Sequence, residues 1–322
     1  MAIRGISPSL IEEYNRCPMQ LYFSRILEPK PDVPEWIGKV FGDAIHYFIS
    51  TYIYKETQYP LGFKSKKNMI KFWCYFWSQI MNGDDKIFKR KIGEVWYRQN
   101  ELPEDLKKKG IYILSRYWDD NINLPRPLFV ELKIEIPYNG VHLIGVIDQI
   151  RINPETGKHV IVDLKTGKTY GDSDREQFSL RTNIQLTFYA MLYRMYFDVE
   201  EDCLAIYDLN QGKMMMTKRD DKDILFLQDI LRKIIDNISN ANYKRVFGKH
   251  CSMCDYQEPC YKPEQYFTGE RELTDDQAES IIFSHIKELS QQNLQISNRE
   301  RMVISKLKPK QKKPKQLKLK LR

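Results

Sequence analysis

The chain has 322 residues and a mass of 38.5 kDa, is 42% hydrophobic and 29% charged, and carries a formal net charge of +8, which is enough material for one large core or two small ones. No run of eighteen apolar residues occurs, the first residues lack an apolar signal stretch, and six cysteines are too sparse for a disulfide scaffold; the expectation is a cytoplasmic protein rather than a membrane-spanning, secreted or fibrous one. The charge is uneven: residues 306–322 hold nine Lys/Arg and no acid, leaving 42 basic against 43 acidic residues elsewhere.

In chain order, Ser7-Pro8-Ser9 reads as a helix cap with proline in the first turn, followed by Leu10, Ile11, Tyr14, Leu21 and Tyr22 at near-helical spacing. A second helix is expected over 36–54, with Val40, Ile45, Phe48, Ile49 and Tyr52 on its apolar face, and further helices near 66–82, 84–99 and 104–118. After Pro125-Arg126-Pro127 the period switches to two. Segments 128–137, 141–152 and 159–165 read as strands, joined by Tyr138-Asn139-Gly140 and Asn153-Pro154-Glu155-Thr156-Gly157 as antiparallel hairpins. A helix near 182–197, a strand near 203–209 and a helix near 221–241 complete the pattern, which implies an α/β fold of the mixed α+β kind, a mixed sheet flanked by helices. There is no internal repeat. The tail from about residue 305 has too little apolar surface to offset chain entropy and is expected to be disordered when free.

The third strand ends Val160-Ile161-Val162-Asp163-Leu164-Lys165-Thr166-Gly167, so Asp163 and Lys165 share a face. The neighbouring strand carries Gly145-Val146-Ile147-Asp148, and a hairpin can bring the two aspartates together. Such carboxylates repel unless a cation separates them; oxygen donors of this kind suit Mg²⁺ or Mn²⁺. From these residues alone, an ion pair at a strand end is the other reading of Asp163 and Lys165. Glu131, on the preceding strand, reads as an ordinary exposed residue, with a further acid as the alternative. Gly42 and His46 share a face of the second helix, as do Gln185 and Tyr189 of a later one.

The ordered set Gly42…His46, Gly145…Asp148, Asp163-Leu164-Lys165-Thr166-Gly167 and Gln185…Tyr189 resembles the RecB-like branch of the PD-(D/E)XK nuclease superfamily, over roughly residues 7–55 and 128–262. Ile147 stands where the family name has proline. The resemblance implies a restriction-endonuclease-like core and a metal-dependent deoxyribonuclease, acting as an exonuclease on single strands or DNA ends. It implies a metal site of His46, Asp148, Asp163 and the carbonyl of Leu164. Asp148, Asp163 and Lys165 would be catalytic, and Gln185 and Tyr189 would orient substrate at the active site. Narrower and alternative roles are prespacer trimming in CRISPR adaptation, with adaptation or recombination proteins as partners, and a noncatalytic DNA-binding subunit of a helicase–nuclease complex.

Cys251-Ser252-Met253-Cys254 and Cys260 place three thiols within ten positions, a strong metal signal. Cys17 is the best fourth ligand, with His250 next. Four thiolates accept either zinc or an iron–sulfur cluster. The resemblance to CRISPR-associated RecB-family exonucleases and AddB-type nucleases, with one cysteine before the nuclease motifs and three after, implies a [4Fe–4S] cluster on Cys17, Cys251, Cys254 and Cys260. Cys74 and Cys203 read as small core residues.

Residues 55–126 hold fifteen Lys/Arg against nine Asp/Glu and four of the five tryptophans. Trp73, Trp77, Trp96 and Trp118 are expected in the core, and some of Lys64, Lys66, Lys67, Lys89, Arg90 and Lys91 against a DNA strand. The expected organisation is a single nuclease domain over 1–300, with this helical insertion and a clasp formed by 17 and 251–260, followed by a basic tail over 301–322 that attracts phosphates without reading sequence.

Overall fold

The computed structural model describes residues 3, 5–27, 35–55, 57–83, 95–96, 102–167 and 173–261. The chain divides into two compact units, the larger of residues 3–237 and 243–257, the smaller of residues 1–2, 238–242 and 258–322. Lys89, Arg90, Lys91 and the basic tail lie outside the described residues.

The element order is α1 (Pro8–Arg16), α2 (Pro18–Leu21), β1 (Glu35–Trp36), α3 (Ile37–Phe48), α4 (Lys66–Met81), β2 (Val95–Trp96), α5 (Pro103–Asn121), β3 (Phe129–Tyr138), β4 (Val141–Ile152), β5 (His159–Lys165), α6 (Asp174–Arg181), α7 (Ile184–Phe197), β6 (Cys203–Asp208), β7 (Lys213–Thr217), α8 (Asp221–Ser239) and α9 (Gln257–Tyr261). None of the described helices is long and apolar enough to cross a membrane.

Two expected helices are corrected. The first is cut at Cys17, which adopts an extended conformation (φ −164°) because Pro18 restricts the residue before it and then starts a new helix. Of the expected helix 84–99 only Val95 and Trp96 are among the described residues, and these two are instead extended and pair in parallel with Glu35 and Trp36, as β-branched and aromatic residues favour. The second expected helix ends as α3 at Phe48 and continues as a π-helical turn over Ile49–Ile53.

The main sheet is mixed, in the order β3-β4-β5-β6-β7. Only β5 and β6 are parallel, linked by the crossover through α6 and α7. Asn139 and Gly140, both at positive φ, close the β3–β4 hairpin. The β5–β6 face with Val160, Val162, Leu164, Ala205 and Tyr207 packs on α3, α4 and α5 in one apolar cluster containing Phe48, Trp73, Phe76 and Trp77. Three of the insertion tryptophans, Trp73, Trp77 and Trp118, are core: Trp73 and Trp77 are fully buried, and their indole N–H groups donate to the carbonyls of Lys107 and Pro103. Lys66 is committed to the Asp119 carboxylate at 2.6 and 2.7 Å.

A buried polar network ties this helical layer to the sheet. The Tyr54 and Tyr117 hydroxyls are 2.7 Å apart, Gln149 donates to Tyr117 at 2.8 Å, and Arg151 donates to Gln149, Tyr54 and Asn121. The opposite face is covered by α7, where Gly145 allows β4 to approach closely: a Cβ there would meet Leu192 Cδ1 at 2.5 Å.

Candidate active site

The register brings the acids together. Gln149 pairs with Val162 across β4 and β5, so the next step sets Asp148 opposite Asp163. The Leu164 N–H donates to Asp148 Oδ2 at 2.7 Å, which fixes the Asp148 carboxylate against β5. From the helical side, His46 Nδ1 lies 3.4 Å from Asp148 Oδ1. One turn earlier, a Cβ on Gly42 would sit 3.0 Å from Thr166 Oγ1, so glycine lets α3 close onto the end of β5.

On the α7 side, Lys165 Nζ lies 2.9 Å from Asp163 Oδ2 and donates to Gln185 Oε1 at 2.7 Å; Gln185 donates onward to the Tyr189 hydroxyl at 2.8 Å. Gln185 and Tyr189 are one helical turn apart on α7 and form a relay that fixes the ammonium. The candidate residues thus form two polar groups, His46 with Asp148 and Asp163 with Lys165, Gln185 and Tyr189, which meet where Asp148 is bonded to the Leu164 backbone.

Charge is costly in this setting. Asp163 is 2% exposed, and burial, countered by Lys165 and reinforced by Asp148, pushes its pKa up to about 6. The His46 pKa is raised: burial acts to lower it, but the charge and hydrogen bond of Asp148 outweigh burial. Burial holds the Tyr189 hydroxyl well above the ordinary tyrosine range, as do the nearby carboxylates.

Glu131 belongs to this site, contrary to its reading as an ordinary strand residue. Val130 pairs with Gln149 and Leu132 with Ile147, so Glu131 stands opposite Asp148. Its φ of +50° is left-handed, rare for a non-glycine residue inside a strand. The pleat changes there as well: Gly145 turns toward α7, whereas Gln149, four residues on, turns toward Tyr117 on α5. A strict period of two would put both on one face, so the alternation slips between them. The ligand atoms of His46, Glu131 and Asp148 all lie within 4.8 Å of one another. Glu131 keeps solvent access, yet lost hydration and then the Asp148 charge, partly offset by His46, push its pKa up to about 7. The available signal was register: counting across the Asn139-Gly140 turn pairs Glu131 with Asp148.

The cysteines are less gathered. Among the described residues, no three sulfurs lie within 4.8 Å of one another. Val246 N–H donates to Cys17 Sγ at 3.4 Å and its carbonyl accepts from Cys251 Sγ at 3.8 Å. Burial, then the charges of neighbours that include Cys17 and Cys251, raise the Cys254 thiol pKa. His250 Nε2 lies 2.9 Å from the Val246 carbonyl. Cys203 is buried on β6, in contact with the Met216 sulfur at 3.7 Å, while Cys74 is half-buried on α4.

A family model described as the PD-(D/E)XK nuclease superfamily matches residues 5–261. Two solved structures are similar at low identity. One is a candidate exonuclease from Eubacterium rectale, 12% identical over 83% of this chain and 94% of that one, with a TM-score of 0.41. The other is SSO0001, 13% identical over 78% of this chain and 94% of that one, with a TM-score of 0.31. No curated protein matches the sequence.

Proposed function

Because the chain belongs to the PD-(D/E)XK nuclease superfamily, we propose that it is a RecB-like, metal-dependent deoxyribonuclease, an exonuclease acting on single strands or DNA ends. The observation that carries this reading is the convergence of His46, Asp148, Asp163 and Lys165 at the adjoining ends of α3, β4 and β5. The donor set fits Mg²⁺ or Mn²⁺: the buried Asp163 and the Asp148 beside it repel without a cation, and carboxylate oxygens are the donors such ions prefer. His46, Asp148, Asp163 and the Leu164 carbonyl would hold the ion, which when bound supplies a lower pKa for its water and neutralises phosphoryl charge.

The protein's own groups then have separate tasks. Asp148 is held by the Leu164 N–H, so its second oxygen is free to face His46. Lys165 presents an ammonium beside Asp163, where it stabilises negative charge developing on the phosphoryl group. Gln185, steadied by Tyr189, limits the positions that ammonium can take. The narrower form of this reading, prespacer trimming beside CRISPR-adaptation or recombination proteins, uses the same chemistry on the same substrate class.

The reading extends to a [4Fe–4S] cluster on Cys17, Cys251, Cys254 and Cys260. Its support is the family resemblance of the spacing and the approach of both Cys17 and Cys251 to the Val246 backbone.

The test is cleavage of DNA labelled at the 5′ or 3′ end by the purified chain with Mn²⁺ or Mg²⁺. The wild type should shorten the strand from an end. Lys165→Ala should lose at least roughly a hundredfold in rate, the scale of removing one preorganised charge-stabilising group, while still retarding DNA in a gel. Undiminished cleavage by Lys165→Ala would overturn the assignment, and a wild type that binds without cleaving would favour the noncatalytic subunit.

A further inference from the structure

We infer that Glu131 is an additional ligand of the divalent ion at this site, supplied by β3; the inference rests on the metal-dependent reading above and deepens it. Three observations converge on the side chain. Register sets it opposite Asp148. The left-handed backbone at Glu131 coincides with the slip in pleat that separates the α5-facing part of β4 from its α7-facing part. The outcome is a compact set of one imidazole and two carboxylates, His46, Glu131 and Asp148, with ligand atoms within 4.8 Å of one another.

The alternatives within the chain do not account for this placement. Among the described residues no hydrogen bond or ion pair reaches the Glu131 carboxylate; His46 beside it faces Asp148, and the Lys165 ammonium is engaged by Asp163 and Gln185. Two carboxylates facing each other across a strand pair are mutually unfavourable, and only a cation or a proton relieves that. His46 lies within reach of both carboxylates and, as a neutral imidazole, is a good partner donor for Mn²⁺. Asp163, held by Lys165, lies outside this compact set of three and faces Asp148 across β4 and β5. The ion would therefore be shared between acids from three adjacent strands, β3, β4 and β5, rather than two.

The test is the affinity of the full-length protein for Mn²⁺ without DNA, read from the free-ion electron paramagnetic resonance signal, for wild type, Glu131→Gln, Glu131→Gly and Asp148→Asn. Even partners outside the ligand sphere are worth roughly 10–100-fold in metal affinity, so Glu131→Gln should weaken Mn²⁺ binding by at least about tenfold. Glycine accepts the positive φ without strain; Glu131→Gly should keep or raise the metal-free melting temperature while losing the same affinity, which separates the carboxylate from the backbone. Mn²⁺ affinity in Glu131→Gln within twofold of wild type would overturn the inference, even if cleavage slowed, because Glu131 would then act on water or substrate. Absence of Mn²⁺ binding by the wild type would overturn this inference together with the metal-dependent reading; tight wild-type binding lost in Asp148→Asn but kept in Glu131→Gln would overturn this inference alone.

Discussion

Removing the negative charge of Asp163 should stabilise the metal-free protein while abolishing cleavage. Asp163 is 2% exposed and its pKa is raised from 3.8 to about 6. An acid whose folded pKa lies above its unfolded value is favoured in the native state when protonated. Its penalty is therefore absent below about pH 4, grows between about pH 4 and 6, and is complete above the folded pKa. A shift of roughly two units at 1.36 kcal/mol per unit is about 3 kcal/mol, and Asn has the neutral form's shape. The pull of Lys165 is already contained in that shift, and Lys165 keeps its bond to Gln185. In EDTA at pH 8, Asp163→Asn should exceed wild type by about 3 kcal/mol in urea unfolding, or roughly 6 °C in melting temperature for a chain of this size. At pH 4 the two should coincide. Mn²⁺ at a hundred times its dissociation constant adds about 2.7 kcal/mol to a protein that binds it and should close most of the gap at pH 8. A variant no more stable than wild type at pH 8, or a gain that persists at pH 4, would refute the reasoning.

Two further outcomes are expected. Gly110→Ala puts a Cβ 2.3–2.6 Å from the indole of Trp73, which is fully buried and pinned by its bond to Lys107; overpacking of this kind costs roughly 1–3 kcal/mol, so urea unfolding should show a loss despite alanine's better helix propensity, and an unchanged midpoint would argue against close packing of α4 on α5. Anaerobically purified protein should contain about four irons with absorbance near ~400 nm, both lost in Cys254→Ala; stoichiometric zinc in colourless protein would replace the cluster with a zinc site.

Most of the sheet was legible because strand alternation and turn chemistry are local. The segments 141–152 and 159–165 coincide with β4 and β5, and Asn139-Gly140 announced the hairpin between β3 and β4. β7 was missed because Met214-Met215-Met216 offers no alternation, although the residues do alternate in exposure once paired with β6. α6 was also missed, and there the signal was present: Ser173 and Glu176 form a capping box. Of the site, Asp148, Asp163 and Lys165 could be placed from strand parity, and Gln185 with Tyr189 from helical spacing. Glu131 could not be placed by parity alone, since in β3 it shares its alternation with the exposed Lys133 and Glu135. Only the pairing across the hairpin, and a backbone sign invisible in sequence, turn it into the site.

The helical insertion bears on catalysis through the same strand. Gln149 follows Asp148 directly, is 1% exposed, and is held by Tyr117 of α5 and by Arg151, which in turn grips Tyr54 and Asn121. Asp148 thus sits between two fixed points: its own carboxylate is bonded to the Leu164 backbone, and the next residue is locked into the α5 network. Its strand changes pleat at this step, opposite the left-handed Glu131. A buried polar network with its partners satisfied is rigid and specific in geometry, so α5 does more than cover the sheet. It sets the angle at which β4 presents its acid to His46, while the apolar cluster of Phe48, Trp73 and Trp77 sets where α3 brings His46 from the other side. The acids that repel one another are thus held close by fixed partners, and a cation or a proton is what relieves that repulsion.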